Sequence, residues 1–261
     1  MASPWLHRSS ISLAAATFLS LFTGTAVTSN AERPYYALGQ YHWWLGLVVA
    51  ALTVAVAVWI QNTDDRLWLR RLGWGAVGTL ALQAWLGMQP MPQAPSVRIA
   101  HASVAQLFFA TALVIAAGTA SAWKTAPKRV QGPRALLRMA QITPAVVALQ
   151  VALGILFRHG ALGVGPHLTV AFLAALFILG LALTVIHGTE HRPLSIAARV
   201  LITIASVQVF VGMTLFIVES MEIDPSVIIL LTLIHSATGA LTLAATVVMA
   251  VLVGRWVYIS N

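Results

Sequence analysis

Four histidines of the chain lie in apolar stretches, and each is followed four residues later by glycine or alanine. Residues four apart lie one turn from each other on the same face of a helix, so each imidazole has little bulk beside it. An uncharged imidazole with free room beside it is suited to ligate the metal of a flat cofactor. The four pairs are His42 with Gly46, His101 with Ala105, His167 with Ala171, and His235 with Gly239.

Axial ligation of haem iron is the chemistry that these pairs predict. Helix bundles hold cofactors between side chains that project inward from facing helices, so His42 with His101 and His167 with His235 would each clamp one haem. Any single histidine could instead make an interhelical hydrogen bond or contact a lipid headgroup. A zinc site is less favoured because it needs three or four converging ligands, and no Asp or Glu lies in the four stretches.

The composition is that of an integral membrane protein. Of the 261 residues, 59% are hydrophobic and 8% are charged, against about 25% charged in soluble domains. The net charge of +8 comes from basic residues scattered between apolar runs, which favours membrane orientation and argues against nucleic-acid binding. The absence of cysteine excludes disulfides, thiolate metal sites and thioether-linked haem.

Eight segments approach the roughly 20 apolar residues that a helix needs to cross a bilayer. The third is the shortest. We predict membrane spans at Ser10–Val27, Gly39–Ile60, Leu72–Met88, Ser96–Ala122, Leu136–Phe157, Gly165–Ile186, Ala197–Val218 and Pro225–Val253.

Basic residues predict the orientation of these spans, because Lys and Arg accumulate in cytoplasmic loops. With a cytoplasmic N-terminus, twelve of the 15 basic residues lie inside, and only Arg33, Arg98 and Arg158 lie outside. Both termini are therefore predicted to be cytoplasmic, and all four histidines fall in the outer half of the membrane. An alternative is that the first segment is a signal peptide cleaved near Ser29–Ala31, which would leave seven spans.

A polar connection from Trp123 to Ala135 divides the chain into residues 1–122 and 136–261, with 123–135 as a cytoplasmic linker. A Gln-x-x-x-Gly motif precedes three of the histidines, at Gln83, Gln150 and Gln208. This recurrence indicates duplication of a four-helix unit, although small and polar residues also recur in membrane helices for packing alone. We expect an all-α integral membrane protein with eight transmembrane helices in two pseudo-symmetric four-helix bundles.

Several motifs resemble those of haem A synthase, a membrane protein family of cytochrome oxidase assembly with eight helices in two four-helix repeats. The resemblance covers essentially the whole chain, and the four histidines are its strongest part. It is carried by Gly24–Ser29, Leu82–Gly87, His101–Phe109, Leu149–Gly154 and His235.

The resemblance implies that His42 and His101 bracket the site where a methyl group of haem O is oxidised to the formyl group of haem A. His167 and His235 would bracket a haem b that relays electrons. The family carries a Glu shortly before its first histidine and an Arg directly after it, and the run from Ala37 to Trp43 has neither. Glu32 is the nearest carboxylate before His42 and is therefore the candidate for proton transfer.

Two alternatives to a synthase remain at this point. One is a non-catalytic haem b electron-transfer or accessory subunit of a respiratory membrane complex, and the other is a haem-free structural subunit. The expected cofactor is haem b, with haem O or haem A as further possibilities. The expected partners are the lipid bilayer, a quinol or other electron donor, respiratory-complex subunits and, as an open option, a second copy of the chain. The expected location is the inner (cytoplasmic) membrane of a prokaryote.

Overall fold

The computed structural model of the protein describes residues 4–29, 36–90, 93–123 and 129–259. These residues form eight long helices, one short 3-10 turn at Ser121–Trp123 and two strands of two residues each. The predicted all-α class is therefore confirmed. The elements are α1 Pro4–Ser29, α2 Tyr36–Thr63, α3 Leu67–Gly87, α4 Pro95–Thr119, β1 Val130–Gln131, α5 Arg134–Arg158, α6 Val164–Gly188, α7 Arg192–Val218, α8 Pro225–Trp256 and β2 Val257–Tyr258.

Seven of these helices are long and apolar enough to cross a membrane, judged by length and composition. This finding supports a multi-pass membrane protein. The exception is α3, which carries Arg70 and Arg71 in its first turns and has only 21 residues. The eighth span therefore stays a prediction.

Helix α3 begins at Leu67, five residues before the predicted start of the third span at Leu72. The connection from α2 is fixed around Asp64, whose side chain is buried and accepts two hydrogen bonds from Arg66, at 2.8 and 2.6 Å. Arg70 donates to the Asp64 main-chain carbonyl and to the Asp65 carboxylate. These pairs neutralise Arg66 and Arg70, so the helix begins among charged residues that lie outside the apolar run.

The chain divides into two compact units, Met1–Thr125 with Glu222–Ala237, and Ala126–Met221 with Thr238–Asn261. Helix α8 is thus shared, with its first part in the first unit and the remainder in the second. The predicted division at residues 123–135 assigns all of α8 to the second repeat. Both that assignment and the pseudo-symmetry between two bundles stay predictions.

In the first unit, α1 packs against α2 and α4, and α3 packs against the same two helices. The result is a closed four-helix ring. Its core includes Leu13, Ile60, Leu69 and Ile115, each at most 1% exposed. In a membrane such contacts stabilise through close van der Waals packing, since lipid is as apolar as the core itself.

In the second unit, α6 packs against α5 and α7. Its core joins Leu136, Leu181 and Leu201 to Met249 of the second part of α8. Strands β1 and β2 pair in parallel, Val130 with Val257 and Gln131 with Tyr258. This pair ties the start of the second unit to the end of the chain.

Candidate functional site

The four predicted ligands lie on four alternate helices, as the sequence suggested. His42 lies on α2 and His101 on α4, both in the four-helix ring of the first unit. His167 lies on α6 in the second unit, and His235 lies on the part of α8 that belongs to the first unit. The pairing of His167 with His235 stays a prediction.

His42 and His101 come together. Their ring centroids lie 6.4 Å apart and their planes meet at 75°. The two residues are 59 positions apart in the chain, so their contact is set by the packing of the four-helix ring. The first of the two predicted histidine pairs is thus a pair in space.

Each of three histidine rings packs onto a glycine of the preceding helix. A Cβ atom built on Gly24 would lie 2.9 Å from Cε1 of His42, and one on Gly87 would lie 3.0 Å from Cε1 of His101. The corresponding distance from Gly154 to Cε1 of His167 is 2.8 Å. These distances leave no room for a side chain, so in each helix pair the imidazole edge lies directly on the backbone of the neighbouring helix.

The hydrogen bonds of His101 determine which ring nitrogen carries the proton. Nδ1 lies 3.2 Å from the main-chain carbonyl of Gln83, and because a carbonyl can only accept, Nδ1 is the N–H donor. Nε2 then holds the lone pair and accepts from the side-chain amide of Gln83 at 3.1 Å. Gln83 therefore contacts both ring nitrogens, one with its backbone and one with its side chain.

His167 repeats this arrangement with Gln150. Nδ1 of His167 lies 3.2 Å from the Gln150 carbonyl oxygen. The amide nitrogen of Gln150 lies 3.0 Å from Nδ1 and 3.3 Å from Nε2, across the same ring edge that faces Gly154. Because the carbonyl oxygen can only accept, Nδ1 carries the proton, so the amide of Gln150 can donate only to Nε2, the lone-pair nitrogen, at 3.3 Å.

His42 is held by a variant of the same scheme, because Ser20 takes the place of the glutamine four residues before the glycine. The Ser20 carbonyl accepts a hydrogen bond from the His42 imidazole. The Thr23 hydroxyl also donates to the Ser20 carbonyl, at 3.1 Å, and its oxygen lies 3.2 Å from Nδ1 of His42. That oxygen is left to accept, so Nδ1 of His42 is a donor as well.

The separation of the His42 and His101 rings matches that of two imidazoles on opposite sides of one metal. Metal–nitrogen bonds of about 2 Å, with each nitrogen about 1.1 Å from its ring centroid, would place opposite rings about 6.2 Å apart. The observed value is 6.4 Å. The angle of 75° is compatible with this, since each imidazole can rotate about its own bond to the metal. Nε2 of His101 has a single lone pair, so a metal bond there replaces the bond from Gln83.

The small residues predicted to clear a flat cofactor differ in their surroundings. Gly46 has no neighbouring atom within 4 Å of a Cβ built on it, so the space beside His42 is open. Ala105 and Ala171 are half-buried. At Gly239 the amide nitrogen of Gln208 lies 3.1 Å from such a Cβ, so a side chain fills that space.

No carboxylate lies on any of the four histidine-bearing helices α2, α4, α6 and α8. In the four described ranges of the chain, no three His, Asp or Glu side chains cluster as they would to hold a metal ion without a porphyrin. Glu32, the candidate for proton transfer, lies outside the described residues. The side chains that the structure brings together on these helices are therefore imidazoles, amides and hydroxyls, without a carboxylate.

The sequence did not reveal the role of the three glycines. The motif Gln-x-x-x-Gly was recognised at Gln83 and Gln150 as a sign of duplication and helix packing. The structure shows that the main-chain carbonyl of the glutamine accepts a hydrogen bond from the histidine of the next helix. The glycine of the motif lies against the ring of the same histidine. The contact of Gly24 with His42 could not be predicted from this motif, because serine at position 20 stands where the motif has glutamine. The remaining signal in the sequence was a glycine four residues after Ser20.

Comparison of the chain with models of known protein families and with curated protein sequences finds no match.

Proposed function

We propose that this protein binds haem through His42 and His101 and belongs to the haem A synthase type of membrane oxidoreductase. In that role it oxidises a methyl group of haem O to the formyl group of haem A for cytochrome oxidase assembly, a four-electron oxidation in which water supplies the formyl oxygen and a membrane-bound acceptor such as a quinone takes up the electrons. The observation that carries the proposal is the 6.4 Å separation of the two rings. In both histidines, Nδ1 is hydrogen-bonded to an oxygen of the preceding helix. Nε2 is therefore the ring nitrogen that we propose as the ligand atom.

The chain's own residues would bind and orient the cofactor. A bound haem supplies one-electron chemistry at its iron. His42 and His101 would ligate it from α2 and α4, and the open space at Gly46 admits a flat ring beside His42. The surrounding helices exclude water, and hydrogen bonds from the ligating histidines to backbone carbonyls raise the basicity of the ligand atom. By analogy, His167 is proposed to ligate a second haem in the second unit.

A second function is favoured by the absence of acidic residues on the histidine-bearing helices. Oxidation of a methyl group releases protons, and a carboxylate near the substrate is the usual acceptor. A chain that holds haem without that carboxylate is suited to electron transfer as a haem b subunit or accessory protein of a respiratory membrane complex. The two functions share the same ligands and differ in whether a product forms.

We place the protein in the inner membrane of a prokaryote with both termini in the cytoplasm. This orientation is supported by the distribution of its arginines and lysines, twelve of which would face the cytoplasm. The two histidine sites would then lie near the outer face, where a quinol or another membrane-bound donor could deliver electrons.

Spectroscopy of the purified full-length chain tests haem binding. We expect a Soret band, low-spin bands in the reduced-minus-oxidised spectrum and extractable haem. A colourless protein, after expression with sufficient haem supply, would contradict both functions.

Co-expression with a haem O source then separates the two functions. Chromatography of the extracted pigment should show haem A or a hydroxylated intermediate if the chain is a synthase. Haem b alone, with haem O available in the membrane, would overturn the enzymatic proposal and leave the electron-transfer one.

A further inference from the structure

The three glycines beneath the histidine rings share one arrangement in three separate helix pairs. In α1–α2, α3–α4 and α5–α6, a glycine near the end of the first helix faces Cε1 of a histidine in the second helix. The carbonyl four residues before that glycine accepts a hydrogen bond from the same ring. These carbonyls belong to Ser20, Gln83 and Gln150.

The chemistry of this arrangement follows from the direct approach of the ring to the backbone. A helix carbonyl points along the helix axis toward the amide four residues later, here the amide of the glycine. In these helix pairs the imidazole approaches the carbonyl from the side at the point where the glycine has no Cβ, and a Cβ there would lie 2.8–3.0 Å from the ring. Alanine at Gly154 would place a carbon atom 2.8 Å from Cε1 and 3.1 Å from Nδ1 of His167, so the ring would have to move.

We propose that Gly24, Gly87 and Gly154 are positioning residues that hold His42, His101 and His167 in the Nδ1–H tautomer, with Nε2 as the ligand atom. The backbone of the preceding helix supplies the hydrogen-bond acceptor. The glycine, which has no side chain, leaves the space in which the histidine ring approaches that acceptor. The tautomer is thereby set by the main chain in all three helix pairs. This role deepens the proposed haem-binding function, but the tautomer itself is a property of the chain and can be measured without haem.

The arrangement also shows that the orientation of the His167 ring depends on its own helix pair. Its ring is held in the same way as those of His42 and His101, by Gln150 and Gly154 of its own helix pair. His167 is therefore prepared as a ligand within α5–α6 alone, independently of His235. The second unit thus carries one imidazole ready to bind a metal, whichever residue completes its coordination.

Nitrogen-15 NMR of histidine-labelled protein in lipid bilayers tests the tautomer, because protonated and lone-pair ring nitrogens have well-separated chemical shifts. His42→Ala, His101→Ala and His167→Ala variants assign the signals. In haem-free wild-type protein we expect Nδ1–H signals for all three residues. An Nε2–H signal for His101 in that sample would overturn the proposal without any glycine variant.

The glycines are tested by a matched pair of substitutions on α3. Gly87→Val should move the His101 ring, because the new Cβ would lie 3.0 Å from its Cε1, whereas a Cβ at Gly78 meets no atom within 4 Å. We expect Gly87→Val to remove the Nδ1–H signal of His101 and Gly78→Val to retain it. A second pair, Gly154→Ala and Gly165→Ala, repeats the comparison for His167, since Gly165 is also open. Identical spectra within both pairs would overturn the proposal.

Haem content separates this inference from the function on which it rests. If wild-type protein binds haem, Gly87→Val should weaken haem binding at the His42–His101 site at least about tenfold, the loss of metal affinity typical of residues that orient metal ligands. It should also change the electron paramagnetic resonance signal of the ferric iron. If wild-type protein binds no haem but shows the expected tautomers, the proposed function fails and the positioning role stands. If haem content and tautomers are both unchanged in Gly87→Val, the positioning role fails and the function stands.

Discussion

Helix pairs α3–α4 and α7–α8 carry the same motif, Gln-x-x-x-Gly followed by a histidine, and the side-chain oxygens of their glutamines differ in their hydrogen-bond partners. Gln83 directs its amide nitrogen to His101, and its side-chain oxygen is buried without a hydrogen-bond partner. Gln208 accepts a hydrogen bond from the Thr238 hydroxyl with its side-chain oxygen and lies against Gly239. The same residue type thus has a side-chain oxygen without a hydrogen-bond partner in one pair and a side-chain oxygen that joins two helices in the other.

The difference is explained by the residue three positions after each histidine. Thr238 follows His235 at this spacing, whereas Val104 follows His101 and Val170 follows His167. Threonine and valine have nearly the same shape, but only threonine offers a hydroxyl donor. A hydroxyl at this position therefore accompanies the glutamine whose oxygen has a donor, and valine accompanies the two glutamines, Gln83 and Gln150, whose oxygens have none. The motif therefore places a glutamine against the next helix, and the side chains around that glutamine determine which hydrogen bonds it makes.

The largest expected effect is loss of the ligand itself. His101→Ala should weaken haem binding at the first site by at least about a hundredfold, beyond the losses seen when only a ligand's supporting group is removed. Haem extracted per chain measures this, and the haem expected at the second unit should persist. An equal loss from both sites would contradict the view that α3–α4 acts as a ligand-bearing pair by itself.

The two glutamines should respond differently to replacement by leucine. Gln208→Leu removes the acceptor of Thr238 and should cost about 1 kcal/mol of stability. Gln83→Leu removes a buried oxygen without a partner and a competitor for Nε2 of His101, so it should be nearly neutral for stability and should preserve or strengthen haem binding. Thermal unfolding in detergent measures the first quantity and haem titration the second. Equal destabilisation of both variants would remove the distinction between the two pairs.

A smaller effect is expected when only the hydroxyl is removed. Thr238→Val keeps the side-chain shape and leaves the Gln208 oxygen without this donor, so it should cost roughly 0.6 kcal/mol, the average for hydrogen bonds between membrane helices. Thr232→Val on the same helix is the control, because the Thr232 hydroxyl donates to the carbonyl of Ile228 on its own helix. Comparable losses in the two variants would show that the Gln208 contact contributes nothing specific.

The smallest effect concerns the start of α7, the helix that carries Gln208. His191 precedes this helix, and its Nδ1 accepts a hydrogen bond from the amide of Leu194 at 3.3 Å. Burial lowers the pKa of His191 below its usual value of 6.5. When the start of α7 unfolds, His191 takes up a proton at a higher pH than it does in the folded protein. The stability of this helix start therefore decreases as the pH falls below about 6.5.

Hydrogen exchange at the Leu194 amide measures this pH dependence. Exchange, corrected for its intrinsic pH dependence, should increase between pH 8 and pH 5 in the wild-type protein. His191→Asn is the control, because asparagine caps a helix without titrating in this range. A pH dependence that persists in the asparagine variant would show that another group is responsible.

Much of the fold could be predicted from hydropathy, because a bilayer demands long apolar helices. The start of α3 could not, since Arg66 and Arg70 are neutralised by Asp64 and Asp65 through contacts that depend on the turn between two helices. The assignment of α8 to both units also depends on tertiary packing. No local pattern in Pro225–Trp256 marks a division at Ala237.

The candidate site shows the same limit. The four histidines could be found from their residue type and their surroundings, because ionisable groups are costly in an apolar span. Which glycine faces which ring could not, since this depends on the register between antiparallel helices and on the length of each connection. His101 and His167 follow their glycines by 14 and 13 residues, whereas His42 follows Gly24 by 18. A fixed sequence spacing would have missed the third case.

The parallel pairing of β1 with β2 has a consequence for the order of events during synthesis. Strand β2 comprises Val257 and Tyr258, and its partners Val130 and Gln131 lie 127 residues earlier in the sequence. The pair cannot form until Tyr258 has left the ribosome, whereas α1 to α4 can pack while later helices are still being made. The strand pair of the second unit therefore forms only after all four helices from α5 to α8 have been synthesised.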